Sequence, residues 1–591
     1  MSQRFSPRPN RAADIGWMEW GPEAFARAKE TDRPILLGIS AVWCHWCHVM
    51  DETTYSDSRV IELIRDQYVP IRVDNDRRPD VNARYNMGGW PTTVFLSPDG
   101  DILTGATYVP PDDFAQLLER VSSVWKEDRT NIERRLLERR QTRGASASAE
   151  GVLDEEAPAN IAAAIVANYD ETYGGFGSEP KFPQAEVLQF LLLLYRRDRA
   201  EGKADERLYS ILARTALGMA RGGMYDHIEG GFFRYSTTRD WSIPHFEKMA
   251  EDHAGLIKFY ADLYRMSGNE QFAQTLRSSV RWLRSVLRNP NSPLFGGSQD
   301  ADEEYFALPL DERRAREAPF VDRTVYTNWN AALCSALVAA STALDDETLL
   351  NDAQAALKAL LREMRVADGL ALHCMIPGEA PQEGPLLTDQ VALLSALLDL
   401  HAATGVGTFI DEARRLADAT ISFFRREDGA FVDSADEQAF GNLRIPYRPL
   451  DENAEMADVL LRLGAILGDD RCTQTANQVL AALSQAWRGV GAFAAPYGSA
   501  LVRALSEPLV ITIVGTSGES SELRDAALRL VDPLAVVYTL APNDRFIQER
   551  GYLVSEVPLA YACAGKRCAA PASDAAALQE ALESLRQLPV R

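Results

Sequence analysis

The first 140 residues alternate short apolar runs with amphipathic runs. RPILLGIS (33–40) is a continuous apolar run and predicts a buried strand, whereas SRVIELIRDQY (58–68) has apolar residues every three or four positions and predicts a helix. GGWPTTVFLSPDGDILTG (88–105) predicts two strands that turn at Pro98-Asp99-Gly100. Further elements are predicted as helices at 22–30 and 112–140, a strand at 69–74 and a helix directly after residue 43. This order predicts an α/β domain over residues 1–140.

The pattern changes after residue 140. QTRGASASAEGVLDEEAP (141–158) has no aromatic residue and many small or polar ones, which predicts a linker. Over 159–505, long amphipathic runs such as QVALLSALLDLHAATG alternate with connections rich in Gly, Pro and Asp. Successive helix pairs predict an α/α toroid or a solenoid, although no exact sequence repeat is visible. Strand patterns return over 506–591 and predict a small α/β segment packed on the toroid.

Length and charge narrow the class of protein. A chain of 591 residues is too long for one core and predicts two or three domains. Its 85 acidic and 62 basic residues give a net charge of -23, which repels phosphate and anionic lipid, so we expect neither nucleic acid nor membrane as a partner. The start MSQRFSPRPNRAADIGW lacks an apolar targeting segment, and we therefore expect a cytoplasmic protein.

Two of the seven cysteines lie in GISAVWCHWCHVMDE (38–52), where the predicted strand gives way to a helix. The N–H groups and the dipole at a helix start favour a thiolate, so we predict Cys44 as a nucleophile whose pKa is below that of a free cysteine. Cys47 is then the resolving thiol. Trp43 before the pair and Trp90-Pro91 later in the chain look like the active-site surroundings of a thioredoxin fold.

Other interpretations of this motif stay open. Cys44, Cys47 and His48 are spaced i, i+3, i+4 and could bind zinc from one helix face. No second Cys or His pair follows nearby, and we predict no metal and no cofactor. The motif could also be an inactive remnant, and Trp46 could simply cover the disulfide. His45, if protonated, would lower the pKa of Cys44 further.

A second concentration of polar residues lies in RGGMYDHIEGGFFRYSTTRDWSIPHFEKMAEDHAGL (221–256). Carboxylates can bind hydroxyl groups or transfer protons, and flat rings can cover sugar faces, so the stretch predicts a sugar or polyol pocket. A buried hydrogen-bonded network is the structural alternative. We predict His245 as the base, Glu247 or Asp226 as its acid or orienting partner and Arg234 as a donor. The remaining pocket residues are Tyr225, His227, Tyr235, Lys248 and Asp252.

Residues further along the chain are predicted to complete this pocket. Asp300 and Asp302 could pair as carboxylates, although a helix cap uses the same residue type. Trp329 would form an apolar wall beside Asn330, or simply pack in the core. His401 is expected to be an ordinary surface or core histidine.

The last two cysteines are five positions apart in YACAGKRC, across a predicted hairpin or loop. Cys563 and Cys568 are close enough for a disulfide if their Cβ atoms face each other. They are a second redox-sensitive pair or two ordinary thiols, and the sequence leaves both open.

Motifs from one end of the chain to the other resemble the spermatogenesis-associated protein 20 family. The matching segments are CHWCHVM, RPD, GGWPTTVFLSPDG, EPKFP, GGMYDHIEGGFFRYS, PHFEKM, DAD, TNWNAAL and YACAGKRCAAP. The resemblance implies a thioredoxin-like domain followed by a helical domain similar to the (α/α)6 toroids of N-acylglucosamine 2-epimerases and six-hairpin glycosidases. The chain departs from the family pattern at Trp43, where Thr is usual, and at Glu229 and Phe233, where Gly and His are usual.

These features favour a thiol-disulfide oxidoreductase module fused to a sugar-binding or sugar-converting toroid. Its expected partners are a disulfide-bearing protein or small thiol and a sugar or polyol. One alternative is a carbohydrate isomerase, epimerase or hydrolase with incidental cysteines. Another is a non-enzymatic binding or scaffold protein.

Overall fold

The computed structural model describes residues 4–143, 151–366, 368–435, 439–529 and 532–587. The chain divides into two compact units, Met1–Ala149 with Ser434–Tyr447, and Glu150–Asp433 with Arg448–Arg591. The sequence analysis placed Ser434–Tyr447 in the helical domain, whereas the structure groups this segment with the N-terminal unit. Of the predicted linker 141–158, residues 144–150 lie outside the described residues, and the next helix begins at Ala157.

The N-terminal unit is a four-stranded sheet with helices on both faces. Its elements are α1 (Pro22–Thr31), β1 (Ile35–Ser40), α2 (His45–Glu52), α3 (Ser58–Gln67), β2 (Val69–Asp74), α4 (Pro79–Tyr85), β3 (Thr92–Leu96), β4 (Ile102–Ala106), α5 (Pro111–Glu127) and α6 (Arg129–Arg143). The strand order is β2-β1-β3-β4, and only the β1–β2 pair is parallel. Alternate residues of β1 enter opposite cores, with Ile35 and Leu37 beneath α1 and α4 and Leu36 beneath α3 and α5. This is the expected thioredoxin-like fold.

The segment Ser434–Tyr447 packs on this unit through one tyrosine and one aromatic stack. Tyr85, at the end of α4, accepts a hydrogen bond from the backbone N–H of Asn442 at 2.7 Å and donates one to the carbonyl of Gly100 at 2.8 Å. Phe440 stacks on Phe25 at 5.1 Å between ring centroids. The segment therefore holds α4, a short helix that the sequence analysis did not predict.

The second unit contains a closed ring of helices. Its helices are α7 (Ala157–Val166), α8 (Ala185–Ala200), α9 (Glu206–Arg221), α10 (Ala250–Ser267), α11 (Glu270–Trp282), α12 (Glu303–Phe306), α13 (Leu310–Ala315), α14 (Thr327–Leu344), α15 (Glu347–Glu363), α16 (Leu387–Thr404), α17 (Thr408–Phe424), α18 (Leu450–Leu467), α19 (Asp470–Ala482) and α20 (Ala495–Ala504). The inner helices α8, α10, α14, α16, α18 and α20 contact one another in that order, and α20 returns to α8. Each inner helix also contacts an outer helix, so the expected (α/α)6 toroid is confirmed.

Side-chain patterning explains which helices lie inside the ring. α14 and α16 are apolar almost all round and are buried on nearly every side, whereas α11 and α15 bury one stripe. Within the described ranges, none of the helices combines the length and apolar character that crossing a lipid bilayer requires.

A similar loop joins outer to inner helix in five of the hairpins. Isolated β-bridges close these loops at Tyr169 and Phe176, Tyr225 and Phe232, Arg288 and Phe295, Arg365 and Ala371, and Arg425 and Phe431. In four hairpins a polar side chain near the start of the inner helix binds the loop's backbone. Asn330 illustrates this clamp, because its amide accepts a hydrogen bond from the N–H of Phe295 at 2.8 Å and donates to its carbonyl at 3.0 Å. The corresponding residues are His253, Gln390 and Asn453.

The first two loops also share a sequence pattern, YDETYGGF (169–176) and YDHIEGGF (225–232). In each, the aspartate forms an ion pair with a fully buried lysine, Asp170 with Lys181 at 2.6 Å and Asp226 with Lys248 at 2.8 Å. Each lysine also donates to a loop carbonyl. The two stretches agree at five of eight positions, so the likeness is an inexact repeat, and the expectation that no exact sequence repeat is present stands for these loops.

The C-terminal part of the second unit is the expected α/β segment. It consists of β5 (Leu509–Val514), α21 (Ser521–Arg529), β6 (Val536–Leu540), α22 (Arg545–Glu549), β7 (Leu559–Ala564), β8 (Arg567–Cys568) and α23 (Ala575–Gln587). Its strand order is β6-β5-β7-β8, and only β5–β6 is parallel. The segment contacts α16 and α18 of the toroid. Its order and directions of strands are those of the N-terminal sheet.

Candidate functional site

The cysteine pair lies where β1 leads into α2. Cys44 caps the helix, and its Sγ accepts a hydrogen bond from the backbone N–H of Cys47 at 3.1 Å. The two sulfur atoms are joined as a disulfide. Cys47 is 2% exposed and Cys44 4% exposed, whereas Trp46 between them is 47% exposed. Cys44 does lie at a helix start, as predicted, while the lowered pKa of its thiol stays a prediction.

Aromatic and polar groups surround this pair. Trp43 donates from Nε1 to a carboxylate oxygen of Asp76 at 2.7 Å and meets Trp90 edge to face at 5.8 Å. The Trp90–Pro91 bond is cis and directly precedes β3, which is the loop predicted beside the cysteines. Trp46 contacts Tyr108 at 5.3 Å between ring centroids.

The two histidines of the motif differ in their surroundings. His48 Nε2 lies 3.0 Å from the carbonyl oxygen of Val42, and burial lowers the pKa of His48. His45 is only partly buried, and its ring meets that of Trp46 edge to face at 5.9 Å. In the described residues, no group of three or more His, Cys, Asp or Glu side chains is placed to bind a metal ion.

A buried ion pair beneath α2 was missed by the sequence analysis. Arg72 on β2 donates two hydrogen bonds to the Asp51 carboxylate, at 2.7 and 2.9 Å, and both side chains are almost fully buried. Asp51 also accepts from the backbone N–H of Ser6 at 3.1 Å. The pair fixes α2 against the sheet. The only sequence signal was an aspartate on the buried face of a helix.

Part of the predicted toroid pocket does come together. Tyr235 and His245 are paired on two short strands, and their rings stack with centroids 4.7 Å apart. Phe182 also stacks on Tyr235, at 4.7 Å between ring centroids. His245 Nδ1 lies 3.4 Å from Glu247 Oε1. This hydrogen bond and the negative charge of Glu247 raise the pKa of His245, although partial burial opposes them.

Glu247 is the most enclosed carboxylate of this group. It is 3% exposed, and its second oxygen, Oε2, has no hydrogen-bond partner among the residues that the structure describes. The negative charge of Glu247 acts to raise the pKa of Asp252. The positive charge of Arg234 acts to lower the pKa of both Asp252 and His245. Arg234, Tyr235, His245, Glu247 and Asp252 therefore form one cluster, hereafter the His245 cluster.

Further carboxylates beside this cluster were not predicted. Glu186, Glu251 and Glu455 lie near the starts of α8, α10 and α18. Each remains accessible to water, but the surrounding protein limits its solvation and raises its pKa. Glu186 and Glu251 rise to about 7 and Glu455 to about 8, because neighbouring carboxylates add to the loss of solvation. Loss of solvation and the negative charge of Glu247 raise the pKa of Asp252 to about 6, although the positive charge of Arg234 opposes this rise.

A buried His373–Asp389 pair was also missed. His373 Nδ1 lies 3.0 Å from both carboxylate oxygens of Asp389, and Asp389 also accepts from the backbone N–H of Asn328 at 3.1 Å. Burial raises the pKa of Asp389, and His373 opposes that rise. The two residues are 16 positions apart in different elements, so sequence spacing gave no signal.

Among the described residues, Asp226 is hydrogen-bonded to Lys248 and Arg313 rather than to His245 or Glu247, with which it was predicted to converge. Its carboxylate accepts hydrogen bonds from Lys248 at 2.8 Å and from Arg313 at 2.8 and 3.1 Å. Burial raises the pKa of Asp226, but the two cations more than offset this and lower it. Asp226 and Lys248 therefore stabilise a loop, which is the structural alternative.

Other predicted pocket residues also have structural partners. Tyr225 packs on Phe232 and His227, and His227 is exposed, with Nε2 3.1 Å from the carbonyl oxygen of Gly222. Asp302 caps α12 by accepting from the N–H of Tyr305.

The residues predicted to close the pocket wall are likewise structural. Trp329 is 8% exposed and packs on Tyr326 at 4.5 Å between ring centroids, and Asn330 is a clamp residue. Asp300 is buried and accepts a hydrogen bond from the N–H of Ala301. Trp329 and Asn330 thus serve the core rather than the pocket predicted for them.

The C-terminal cysteines face each other across a hairpin. Cys563 on β7 lies opposite Cys568 on β8, and their sulfur atoms form a disulfide. Cys568 is exposed and Cys563 is half-buried. The pairing that the sequence left open is present, while its redox role stays a prediction.

Several known proteins are similar in sequence to parts of this chain. Residues 8–142 match a family model described as Thioredox_DsbH, protein of unknown function, DUF255. Spermatogenesis-associated protein 20 of Rattus norvegicus is 35% identical over 312 residues, which are 49% of this chain and 39% of that protein. This chain is therefore similar to spermatogenesis-associated protein 20 over about half of its own length. It spans about two fifths of the length of the curated relatives it matches.

Two further similarities, one in sequence and one in structure, each cover one part of the chain. The thiol:disulfide interchange protein DsbD of Campylobacter jejuni (strain RM1221) is 30% identical over 91 residues, 15% of this chain and 16% of that protein. The cellobiose 2-epimerase of Bacillus thermoamylovorans B4167 has a TM-score of 0.46 at 10% identity, covering 55% of this chain and 85% of that one. The second likeness concerns the fold alone.

The structural role of Asp226 predicts a large loss of stability on substitution. Asp226→Ala leaves the fully buried Lys248 without a carboxylate, which should cost about 3–5 kcal/mol of unfolding free energy, while Arg313 keeps its ion pair with Glu229. Glu171→Ala is the matched control, because its ion pair with Arg207 is exposed and should contribute at most about 1 kcal/mol. Urea unfolding followed by circular dichroism measures both, and equal losses would contradict the structural role.

The raised carboxyl pKa values predict a pH dependence of stability. Glu186 and Glu455 keep their protons in the folded state up to a pH of about 7 to 8, whereas in the unfolded chain they lose them near 4.5. Between pH 4.5 and about 8 the folded state therefore binds more protons than the unfolded chain. The unfolding free energy should fall as the pH rises through this range. Glu455→Gln should flatten this fall, and the exposed Glu304→Gln should not. Melting temperatures from pH 5 to 8 test this, and identical slopes in both variants would contradict it.

Proposed function

We propose that this protein is a thiol-disulfide oxidoreductase whose redox centre is the Cys44–Cys47 pair. The observation that carries the proposal is the position of Cys44 at the start of α2, where its sulfur accepts the Cys47 N–H at 3.1 Å. A thiolate there is stabilised without a metal or a neighbouring base. The similarity to DsbD, a thiol:disulfide interchange protein, supports the same chemistry.

The exchange follows from the placement of the two sulfurs. The Cys44 thiolate attacks one sulfur of a substrate disulfide and forms a mixed disulfide, and the other substrate sulfur leaves as a thiolate. Cys47, enclosed at 2% exposure, then attacks Cys44 and releases the second substrate thiol. The substrate gains two electrons and the protein ends as the Cys44–Cys47 disulfide. A disulfide-bearing protein or a small disulfide is the expected substrate.

The His245 cluster supports a second candidate function in the toroid, the binding of a neutral sugar or polyol. The rings of Phe182, Tyr235 and His245 stack face to face, and Phe182 at the end of this stack is 41% exposed and offers an aromatic surface suited to a sugar face. Glu247 has an enclosed oxygen without a partner, and protonated carboxyl groups beside it can donate as well as accept. A phosphorylated or acidic sugar is disfavoured by the surrounding carboxylates.

Insulin-disulfide reduction tests the redox proposal. The wild-type protein should reduce insulin with dithiothreitol as the electron source, and Cys44→Ser should abolish the increment over dithiothreitol alone, because the attacking sulfur is lost. Cys472→Ser is the matched control, since Cys472 forms no disulfide and its pKa is raised to about 11. Activity that survives in Cys44→Ser would refute the role of Cys44. An alkylation titration of reduced Cys44 should also give a midpoint below that of a free thiol.

Thermal stabilisation by sugars tests the toroid proposal. A ligand at 100 times its dissociation constant should add about 2.7 kcal/mol to the unfolding free energy. Glucose, mannose, N-acetylglucosamine and cellobiose are suitable probes, with glucose 6-phosphate as the disfavoured one. Glu247→Gln should remove the stabilisation while leaving the melting temperature without ligand nearly unchanged, and Glu304→Gln should retain it. A wild-type melting temperature that no neutral sugar raises would exclude this second function.

A further inference from the structure

Carboxyl groups from three inner helices meet at one end of the ring. Glu186, Glu251 and Asp451 each occupy the second position of their helix, in α8, α10 and α18. Loss of solvation raises the pKa of Glu186, and the negative charges of Asp451 and Glu251 add to this rise. Glu455, one turn further along α18, shows the same effect from Glu186 and Asp451. Because such charge effects act over short distances, the four residues form one group, hereafter the acidic rim.

Positive charge is sparse at the acidic rim. Loss of solvation and the charge of Asp252 raise the pKa of Glu251, and Arg234 opposes this rise. Lys258 opposes part of the rise at Glu455. Among the residues that the structure describes, these two cations face a larger number of carboxyl groups. Like charges so close together repel each other, and a ligand that brings positive charge would relieve the repulsion.

Buried carboxylate oxygens beside the rim lack hydrogen-bond partners among the described residues. Glu247 is 3% exposed, and its Oε2 is one such atom. Asp252 adjoins Glu251 in α10, and its Oδ2 is another. The charge of Glu247 adds to the rise that loss of solvation causes in the pKa of Asp252, so these two carboxyl groups are near neighbours. Buried carboxylate oxygens normally accept hydrogen bonds, and both atoms are therefore suited to a donor on a ligand.

The aromatic stack of the His245 cluster adjoins the same carboxyl groups. Loss of solvation raises the pKa of Tyr235, and the negative charge of Glu247 raises it further. Phe182, at one end of the stack, is 41% exposed and lies four positions before Glu186. An aromatic face can cover a sugar ring, and carboxylates can hold a cation. A molecule that combines a sugar ring with a positive charge would use both features.

We propose that the toroid site takes a sugar or polyol that carries a primary ammonium group, held by Glu247, Asp252 and Glu251. This inference rests on the proposed binding of a sugar or polyol and concerns which member of that class binds most tightly. The ammonium N–H groups would donate to the unpartnered oxygens of Glu247 and Asp252, and the sugar ring would lie on Phe182. A hydrogen bond between charged groups contributes more than one between neutral groups, so the amine should decide the preference among sugars.

Three sugars of similar shape test this preference with the full chain. Glucosamine carries the amine, glucose has a hydroxyl group in its place, and N-acetylglucosamine has a neutral amide there. Dissociation constants follow from the rise in melting temperature with sugar concentration at pH 7 and equal chloride concentration. Glucosamine should bind about tenfold more tightly than either neutral sugar. Neutral sugars that bind as tightly or more tightly would overturn the inference, while the proposed sugar-binding function stands. If none of the three raises the melting temperature, both fail.

Ammonium chloride separates an amino sugar from a simple cation. At the concentration of glucosamine used, it should leave the melting temperature at the value measured in sodium chloride, because it offers no ring to Phe182. A rise as large as that with glucosamine would mean that the rim binds cations without a sugar, and would overturn the inference.

Two substitutions test the residues assigned to the amine. Asp252→Asn and Glu251→Gln each remove one negative charge at nearly constant shape, and each should remove most of the preference for glucosamine while N-acetylglucosamine still binds. Glu304→Gln is the matched control, because the ion pair of Glu304 with Arg316 is exposed, and this variant should keep the preference. A wild-type preference in both Asp252→Asn and Glu251→Gln would contradict the proposed position of the ammonium group.

Discussion

The unpaired N–H groups at helix starts are the constraint on which both candidate sites depend. The first turn of every α-helix leaves backbone N–H groups without intrahelical partners, and each start must therefore be capped or solvated. In α2 the cap is the sulfur of Cys44. In the toroid, clamp residues such as Asn330 fix the preceding loops beside the helix starts, and Glu186 and Glu251 lie in first turns. Helix starts thus provide the position of Cys44 in one unit and the positions of Glu186 and Glu251 in the other.

The redox site could be predicted because its information is local. Cys44 and Cys47 are three residues apart at a strand-to-helix junction, and Pro91 begins the next recognisable strand. Strand and helix patterns in the N-terminal unit are likewise set by nearby residues, and the structure confirms them, except that the helix predicted over 112–140 is divided at Asp128 into α5 and α6. Helix α4 escaped prediction because seven residues are too few to show a helical period.

The toroid could be predicted as an architecture but only partly as a site. His245 and Glu247 are neighbours in sequence and in space, so their contact was predictable. Asp226 looked equally functional, yet its charge is balanced by Lys248 and by Arg313, 87 residues away. An acid that caps a helix and an acid that lines a cavity look the same in sequence. Which role an acid takes depends on the residues that the closed ring of helices places beside it. These residues come from distant parts of the chain, so no short window of sequence contains that information.

The reduction potential of the Cys44–Cys47 pair tests the central claim most directly. Full-length protein equilibrated in glutathione buffers, acid-quenched and alkylated, gives the fraction of this pair that is reduced at each potential. A redox-active pair should titrate as one two-electron couple between about -270 and -180 mV, the range of thioredoxins and disulfide isomerases. A pair that stays oxidised below about -300 mV would be a structural disulfide and would contradict the redox function.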